Sequence, residues 1–220
     1  MKKPKAGNRS GFTLVEIMIS VFIFSLVMAA LSVIYSTAYR QGTRMLRDMK
    51  LKGMAIVALR TMENQLQSAT RLDKPAVGTT GDVVEGFKNY GPTHDPADPY
   101  KRMTESEEVS WFHYCLSDAI PGKCDVNLQH QPRCLWGYTG AGTTVGAIDC
   151  GTTSGGVLLA SLITNDPAWG STGFFSRSTT HGVDERNQVR VHWWMQIPAT
   201  NTQPMLQYKV DSTFSLHFSE

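Results

Sequence analysis

The first residue that needs a chemical explanation is Glu16, an acidic side chain at the start of a long apolar segment. Glu16 stands four positions after Phe12, and residues 17–39 contain no charged side chain. An ionisable group inside a membrane is costly unless it has a partner, so residues of this kind are functional by default. A plain membrane anchor would leave Glu16 unexplained, and we therefore expect Glu16 to have a role of its own.

Four cysteines form a second set of reactive side chains, and all lie in the second half of the chain. They are Cys115, Cys124, Cys134 and Cys150. An even number in a Gly-rich, strand-like region behind a membrane segment is typical of two disulfides in an exported domain. Four free thiols are the alternative, and zinc is disfavoured because there is no C-x-x-C pair. Three pairings are possible, and the Cys134–Cys150 pairing, for example, would close a loop of about 17 residues.

The histidines do not form a catalytic or metal-binding pattern. They are His94, His113, His130, His181, His192 and His217. No two have metal-ligand spacing on a helix, and the sequence has no nucleophile elbow, phosphate loop or dinucleotide fingerprint. The acidic residues Asp95 and Asp98 do not fit a calcium-loop pattern. The sequence therefore predicts no metal, no cofactor and no enzymatic activity.

Basic charge is concentrated at the N-terminus. Of the 21 basic residues in the 220-residue chain, Lys2, Lys3, Lys5 and Arg9 lie within residues 1–11. Without these four, acidic residues outnumber basic ones. A chain that begins at Phe12 therefore lacks the bulk positive charge typical of nucleic-acid binding, and we expect no nucleic-acid partner.

The N-terminal region predicts a basic leader at residues 1–11 and a membrane-spanning helix at residues 12–40. The uncharged residues 17–39 would form about 35 Å of helix, enough to cross a hydrocarbon core of roughly 30 Å. A secretory signal would have a shorter apolar core followed by a small-residue cleavage site. Positive charge before the span predicts a cytoplasmic leader and an exported remainder.

Residues 41–70 are expected to continue the helix into a globular head. No proline interrupts the sequence between Pro4 and Pro75. Apolar residues recur at helical spacing: Ala55, Leu59, Met62, Leu66 and Ala69. We expect this stripe to pack on a sheet of the head, since the repeat is short for a coiled-coil seam.

The head itself is predicted to be an antiparallel sheet at residues 107–220. Residues 71–106, rich in Gly, Pro and Asp, are predicted to be a long connecting region. Strand-like runs follow at residues 109–115, 156–163, 189–197, 206–210 and 214–218, with a hairpin turn at 198–205. In the run 189–197, Val189 and its alternate neighbours would face the core. One long helix followed by strands predicts an α+β fold with the helix packed on the sheet.

The opposite face of the run 189–197 presents His192 and Trp194. Exposed aromatic residues often mark interfaces. We prefer the alternative that a loop from residues 71–106 covers this face.

Residues 10–16, with the sequence SGFTLVE, resemble the type IV prepilin cleavage motif. In that motif a glycine precedes the cut, and a glutamate is the fifth residue after it. The resemblance implies the pilin fold, cleavage between Gly11 and Phe12 by the prepilin peptidase, and N-methylation of the new Phe12 amine. It further implies that Glu16 pairs with the Phe12 amine of a neighbouring subunit, because opposite charges attract strongly in a low-dielectric interior and each is costly to bury alone.

The downstream pattern is similar to minor pilins of the W type and to J-type minor pseudopilins of type II secretion. The shared features are a tyrosine-bearing strand at 109–116, a Leu-Trp-Gly-Tyr strand at 135–138, an apolar strand before a Phe-containing loop at 156–175, and a terminal hairpin. This resemblance implies a structural minor subunit that starts or caps a pilus or pseudopilus. Its partners would be other minor subunits, the major subunit, the inner-membrane assembly platform and membrane lipid.

Two other functions fit the same N-terminus. A filament-borne adhesin or DNA-uptake module would differ only in its head. A membrane-anchored periplasmic enzyme would have no need of Glu16. The expected location in every case is the bacterial inner membrane, with the head in the periplasm, and for a filament subunit finally the pilus or pseudopilus tip.

Overall fold

The structure is a computed structural model that describes residues 12–90, 109–124, 133–164, 173–177, 188–201 and 203–215. The chain divides into two compact units, Met1–Met45 and Leu46–Glu220. The predicted leader with Gly11 lies outside the described residues. So do four of the histidines and the acidic segment around Asp95: His94, His130, His181 and His217, with residues 91–108.

One helix, α1, spans Leu14–Gln67 and has 54 residues. It contains no proline, so no position within it lacks a backbone N–H. In the first unit, the described side chains are exposed apart from the partly buried Thr43. By length and composition α1 can cross a membrane, as the sequence predicts.

In the second unit, α1 buries a stripe of residues in the core of the head. These residues recur at spacings of three and four: Leu51, Ala55, Ala58, Met62 and Leu66. The predicted stripe is correct at Ala55, Met62 and Leu66, whereas Leu59 is only partly buried. Leu59 follows Ala58 and is rotated by about 100° around the helix, which carries it to the side of the stripe.

The second unit contains nine described strands. They are β1 (Arg71–Lys74), β2 (Thr80–Gly81), β3 (Val83–Lys88), β4 (Ser110–Asp118), β5 (Arg133–Ala141), β6 (Val157–Thr164), β7 (Phe175–Arg177), β8 (Gln188–Ile197) and β9 (Leu206–Ser215). The strands form one sheet in the order β1-β3-β4-β5-β6-β8-β7-β2, with β9 also paired to β8. All pairs between these described strands are antiparallel. The predicted α+β fold, with a long N-terminal helix packed on an antiparallel sheet, is confirmed.

Strand β8 joins several parts of the sheet. Strand β9 pairs with it along its whole length, while β7 and β6 pair with its first and last parts. Its alternate residues lie fully in the core: Val189, Val191, Trp193 and Met195. This is the predicted alternation, although Ile197 at the end of the strand is only partly buried.

Residues 71–88 differ from the expected connecting region, because they form β1, β2 and β3. Strand β3 contains Gly86, which suggested a loop by composition. A Cβ at Gly86 would lie 2.6 Å from the Phe112 ring and 2.7 Å from the carbonyl oxygen of Arg71. This glycine is therefore required by close packing between strands. The later part of the expected connection, at 91–106, lies outside the described residues.

The C-terminal hairpin also differs from the prediction in one respect. The runs 206–210 and 214–218 were expected to be separate strands, but residues 206–215 form the single strand β9. Its register with β8 is continuous from Ile197↔Leu206 to Gln188↔Ser215. Because β9 pairs continuously with the ten residues of β8, the strand has no break between residues 210 and 214. Residues 216–218 lie outside the described residues.

Two disulfides hold loops over the side of the sheet opposite the main core. Cys115 on β4 bonds to Cys150, and Cys134 on β5 bonds to Cys124. Neither bond is the Cys134–Cys150 pairing used above as an example. The structure has no free cysteine.

The disulfides surround a second, smaller apolar cluster. Its members include Trp136 and Tyr138 from β5, with Ile120 and Ile148 from the loops. The Tyr138 hydroxyl accepts a hydrogen bond from the amide of Gly151 at 2.8 Å. We call this cluster and its two loops, 119–124 and 142–156, the disulfide cover.

Candidate functional site at the start of the helix

Helix α1 begins with a reciprocal pair of hydrogen bonds between Thr13 and Glu16. The Glu16 backbone N–H donates to the Thr13 hydroxyl at 3.4 Å and to the Thr13 carbonyl at 3.1 Å. In return, Oε2 of Glu16 accepts the Thr13 backbone N–H at 2.9 Å and the Thr13 hydroxyl at 3.0 Å. This arrangement is a capping box, in which each residue satisfies a backbone donor of the other.

The capping box directs the Glu16 carboxylate back toward the start of the helix. The carboxylate therefore lies beside the backbone of Thr13, the residue that follows Phe12. The Phe12 side chain itself is 84% exposed. Both of these bonds from Thr13 end on Oε2, and Oε1 has no hydrogen-bond partner among the described residues. The positive end of the helix dipole favours an anion at this position. The carboxylate is thus fixed near Phe12 with one oxygen still able to accept a hydrogen bond.

Thr13 is a capping residue at the candidate site that was not predicted from the sequence. Its signal was present, because a threonine followed three residues later by a glutamate, before an apolar run, marks the start of a helix. In the sequence, Glu16 stood out only for its charge. The geometry gives Glu16 a second, local role in forming the first turn.

Several hydroxyl groups along the apolar helix bond to the backbone of the helix itself. Ser20 donates to the Glu16 carbonyl at 2.7 Å, and Ser25 donates to the Phe22 carbonyl at 2.7 Å. Ser36 and Thr37 both donate to the carbonyl of Val33. Hydroxyl groups satisfied in this way can lie in hydrocarbon without a water partner.

In the second unit, Arg47 attaches α1 to the β8–β9 hairpin. Its guanidinium donates to the side-chain oxygen of Gln203 at 2.8 Å and to the Pro198 carbonyl at 2.5 Å. The sequence analysis identified the hairpin turn but not this contact. The hairpin is therefore held against the head part of the helix by a charge-assisted hydrogen-bond pair.

A polar pair, Glu85 and His113, lies buried between β3 and β4. His113 Nδ1 is 2.9 Å from Glu85 Oε2, and Lys74 Nζ approaches the same oxygen at 3.2 Å. The Tyr138 ring packs edge-on against the imidazole. Burial lowers the pKa of His113, and the hydrogen bond to Glu85 opposes this shift in part.

The other described histidine, His192, lies 3.5 Å from Asp211. Arg190 forms a bidentate pair with the same carboxylate, and this pair holds the pKa of Asp211 well below its usual range. In the part of the chain that the structure describes, no three His, Cys, Asp or Glu side chains are grouped to hold a metal. The loop expected to cover His192 and Trp194 includes residues outside that part.

Comparison with known proteins gives one match, at the N-terminus. Residues 7–32 match the family model described as the prokaryotic N-terminal methylation motif. The matched segment includes Gly11, Phe12 and Glu16, and it supports a type IV pilin-like subunit that undergoes prepilin processing. The apolar part of α1 fits membrane anchoring of such a subunit.

No curated protein and no solved structure matches the chain. The resemblance of the head to W-type minor pilins and J-type minor pseudopilins therefore stays a prediction.

Proposed function

We propose that this chain is a structural minor subunit of a type IV pilus or a type II secretion pseudopilus. The prepilin peptidase cuts it between Gly11 and Phe12 and the new Phe12 amine is methylated. The observation that carries the proposal is the Glu16 carboxylate, which the capping box holds at the exposed start of an apolar helix of membrane length. The N-terminal methylation motif supports the same processing.

The cut changes the electrostatics at the start of the helix. It frees a cationic amine at Phe12, next to the backbone group that Glu16 already binds. In a filament, the amine of one subunit meets the Glu16 carboxylate of its neighbour, where Oε1 is available as an acceptor. Pairing is favoured in a low-dielectric interior because each charge is costly to bury alone, and it selects one axial register between subunits.

The two disulfides support an exported head. Disulfides form and persist in oxidising compartments such as the bacterial periplasm. The precursor therefore waits in the inner membrane, in contact with lipid and with the assembly platform, while its head folds in the periplasm. The mature chain then joins other minor subunits and the major subunit at the filament tip, where it starts or caps assembly.

A first experiment tests the processing step. Gly11→Leu in the full chain should leave the precursor uncut, because a bulky side chain replaces the glycine before the scissile bond. Gly7→Leu, also in the leader, is the matched control and should be cut normally. The readout is the mobility of the membrane-bound protein on a gel. Normal cutting of Gly11→Leu would count against the proposal.

A second experiment separates the charge of Glu16 from its capping role. Glu16→Gln keeps a side-chain oxygen that can accept the Thr13 N–H, whereas Glu16→Ala removes both the acceptor and the charge. Both variants should be cut and inserted, and neither should enter filaments sheared from the cells. Wild-type incorporation of Glu16→Gln would show that pairing with the Phe12 amine is not needed.

A further inference from the structure

The face of the sheet that points away from the main core carries a cavity where β7, β8 and β9 lie side by side. Arg190 on β8 pairs in register with Ser176 on β7 and with Thr213 on β9. Residues directly opposite each other in neighbouring strands point to the same face of a sheet. Val189 and Val191, the neighbours of Arg190 on β8, are buried in the core, so Arg190 points the other way. The three polar side chains therefore form one row across the sheet.

Five residues line this cavity, and the side chain of each can donate a hydrogen bond. They are Ser176, Arg177, Gln188, Arg190 and Thr213. None of these lining residues, all from the described part of the chain, is acidic. The cavity has a volume of about 210 Å³. Sites that enclose drug-sized ligands measure roughly 300–1,000 Å³, so this cavity suits a ligand the size of one sugar or one amino acid.

Several of the lining donors are not used within the described chain. The hydroxyls of Ser176 and Thr213 and the side-chain amide of Gln188 form no hydrogen bond with other described residues. Arg190 donates to Asp211 through Nε and Nη2, and its Nη1 has no partner in the same part of the chain. A ligand that accepts hydrogen bonds would therefore meet several available donors at once.

The charges beside Arg190 leave a positive excess. The Asp211 carboxylate is shared by Arg190 and Lys209, whose Nζ lies 3.4 Å from it. His192, which lies 3.5 Å from the same carboxylate, adds positive charge only when it is protonated. Two cations therefore balance one anion at neutral pH, and a second anion beside Arg190 is electrostatically favoured.

Arg177 adds a second, more buried cation. Its Nη1 donates to the carbonyl oxygen of Leu72 at 2.9 Å. Asp73 attracts it, but the Asp73 carboxylate already forms a bidentate pair with Arg71. Burial lowers the pKa of Arg177 because its charge is poorly solvated, although an arginine stays protonated at neutral pH. An anion in the cavity would stabilise this charge.

We propose that the cavity binds a small organic ligand that carries an oxyanion group, and that this group accepts hydrogen bonds from Arg190, Ser176 and Thr213. Guanidinium and hydroxyl groups are donors that proteins use to bind carboxylates and phosphates. The inference goes beyond the proposed function, since the cavity lies in the head and requires neither cleavage nor assembly. Glucuronate is a suitable probe, because it combines a carboxylate with several hydroxyl groups in the size of one sugar.

Titration of the isotope-labelled full chain in detergent micelles, followed by its amide signals, tests the proposal. Glucuronate should shift the amides of Ser176, Arg190 and Thr213 with a Kd on the order of 1 mM, which is ordinary for so small a ligand. Glucose has a similar ring without the carboxylate and should bind at least about tenfold more weakly. Inorganic phosphate should compete with glucuronate. Equal binding of the two sugars, no competition by phosphate, or no shift at these residues would overturn the proposal.

Two charge variants separate the cavity from the general charge of the head. Arg190→Gln should raise the Kd for glucuronate about tenfold, because it removes the guanidinium that lines the cavity. Lys209→Gln is the matched control, since Lys209 also pairs with Asp211 but does not line the cavity. It should change the Kd by less than about twofold. Equal effects of the two variants would indicate attraction by overall charge and would overturn the proposal.

Two hydroxyl variants keep the test valid if Arg190→Gln disturbs the pair with Asp211. Thr213→Val and Ser176→Ala each remove one donor from the cavity and leave every charge in place. Each should raise the Kd for glucuronate about threefold, because one hydrogen bond to the anion is lost. Wild-type affinity in both variants would overturn the proposal.

A last variant tests whether the chain supplies the anion itself. The connection between β7 and β8 lies outside the described residues and contains Asp184 and Glu185. The double variant Asp184→Asn with Glu185→Gln should bind glucuronate within about twofold of the wild type. An affinity gain of about tenfold or more would show that the cavity serves the chain's own carboxylate, and it would overturn the proposal.

Discussion

Under the proposed function, the Thr13–Glu16 pair serves both local folding and assembly. The Glu16 carboxylate stabilises the first turn by accepting the Thr13 N–H, and the same carboxylate is then positioned near the Phe12 amine that cleavage would create. The capping contact therefore places the charge before any neighbour is present. In the proposed pairing, this preorganisation would lower the entropic cost, because the side chain is already ordered.

The capping box predicts a specific effect of Thr13→Ala. Loss of the Thr13 hydroxyl removes a cap worth about 1 kcal/mol and should let the first turn of α1 fray. The backbone amide of Glu16, which donates to Thr13, should exchange with deuterium about fivefold faster in the protein held in detergent micelles. Thr13→Ser retains a hydroxyl and should exchange like the wild type. Identical exchange in Thr13→Ala would contradict the assignment of Thr13 as the cap.

The buried His113 predicts a dependence of stability on pH. Its pKa is lowered in the folded protein by burial, against the opposing effect of Glu85, and the neighbouring groups are Lys74 and Tyr138. Below about pH 6.5 the unfolded chain binds a proton that folded His113 resists, so the free energy of unfolding should fall as pH decreases toward the folded pKa.

The variant His113→Gln tests this dependence. Glutamine retains a donor for Glu85 but cannot titrate, so the loss of stability between about pH 7 and pH 5 should be smaller than in the wild type. Denaturant unfolding of the mature protein in micelles measures both curves. An unchanged or steeper pH dependence in the variant would exclude His113 as its source.

Helix α1 has two sides in the head that differ in burial. The side that carries Met62 packs in the core of the head, and the side that carries Met49 is exposed in the single chain. Burial and not residue type decides what each methionine contributes. Met62 and Met49 offer a matched comparison, because the first is fully buried and the second is exposed.

We expect Met62→Ala to lower the free energy of unfolding by roughly 2–5 kcal/mol, because it removes buried atoms and leaves a cavity. Met49→Ala should change it by less than about 0.5 kcal/mol. Both values can be measured by denaturant unfolding of the single chain. Similar losses in the two variants would contradict the assignment of the inner and outer sides of α1.

The elements that could be predicted from the sequence are those with a simple period. Strand β8 alternates clearly, and its core residues Val189 and Trp193 were identified correctly. Strand β3 has no such signal, because Glu85 and Gly86 interrupt it. Both are explained only by tertiary partners: His113 satisfies Glu85, and Gly86 makes room for Phe112.

The candidate site could be predicted because its residues also form a simple local pattern in the sequence. Glu16 and its distance from Phe12 are local sequence features, so the motif was visible without the fold. The disulfide pairing was not, because it depends on where β4 and β5 place Cys115 and Cys134 relative to the two loops. Long-range contacts of this type leave no local pattern.

For the whole molecule, the disulfide cover couples stability to the compartment in which the head folds. The two bonds close loops of different length, with separations of 35 residues for Cys115–Cys150 and 10 residues for Cys124–Cys134. Both loops pack on the same cluster around Trp136. A head kept in the reducing cytosol would lack these constraints on its unfolded state.

Removing each pair of cysteines should therefore destabilise the head to different extents. In the chain-entropy model, replacing both Cys115 and Cys150 by alanine costs about 4 kcal/mol, and replacing both Cys124 and Cys134 costs about 3 kcal/mol. Denaturant unfolding of the two double variants measures this order. A larger loss from the shorter loop would show that strain or packing in the cover, and not loop closure, determines the effect.

The proposed function requires that the working protein begin at Phe12, with a methylated amine that Glu16 can pair with. Intact mass and N-terminal peptide mass spectrometry of the native protein, isolated from its own membrane or filaments, test this most directly. We expect a chain that lacks residues 1–11 and carries one methyl group on the Phe12 nitrogen. A native chain that retains Met1, or that begins elsewhere in the apolar helix, would contradict it.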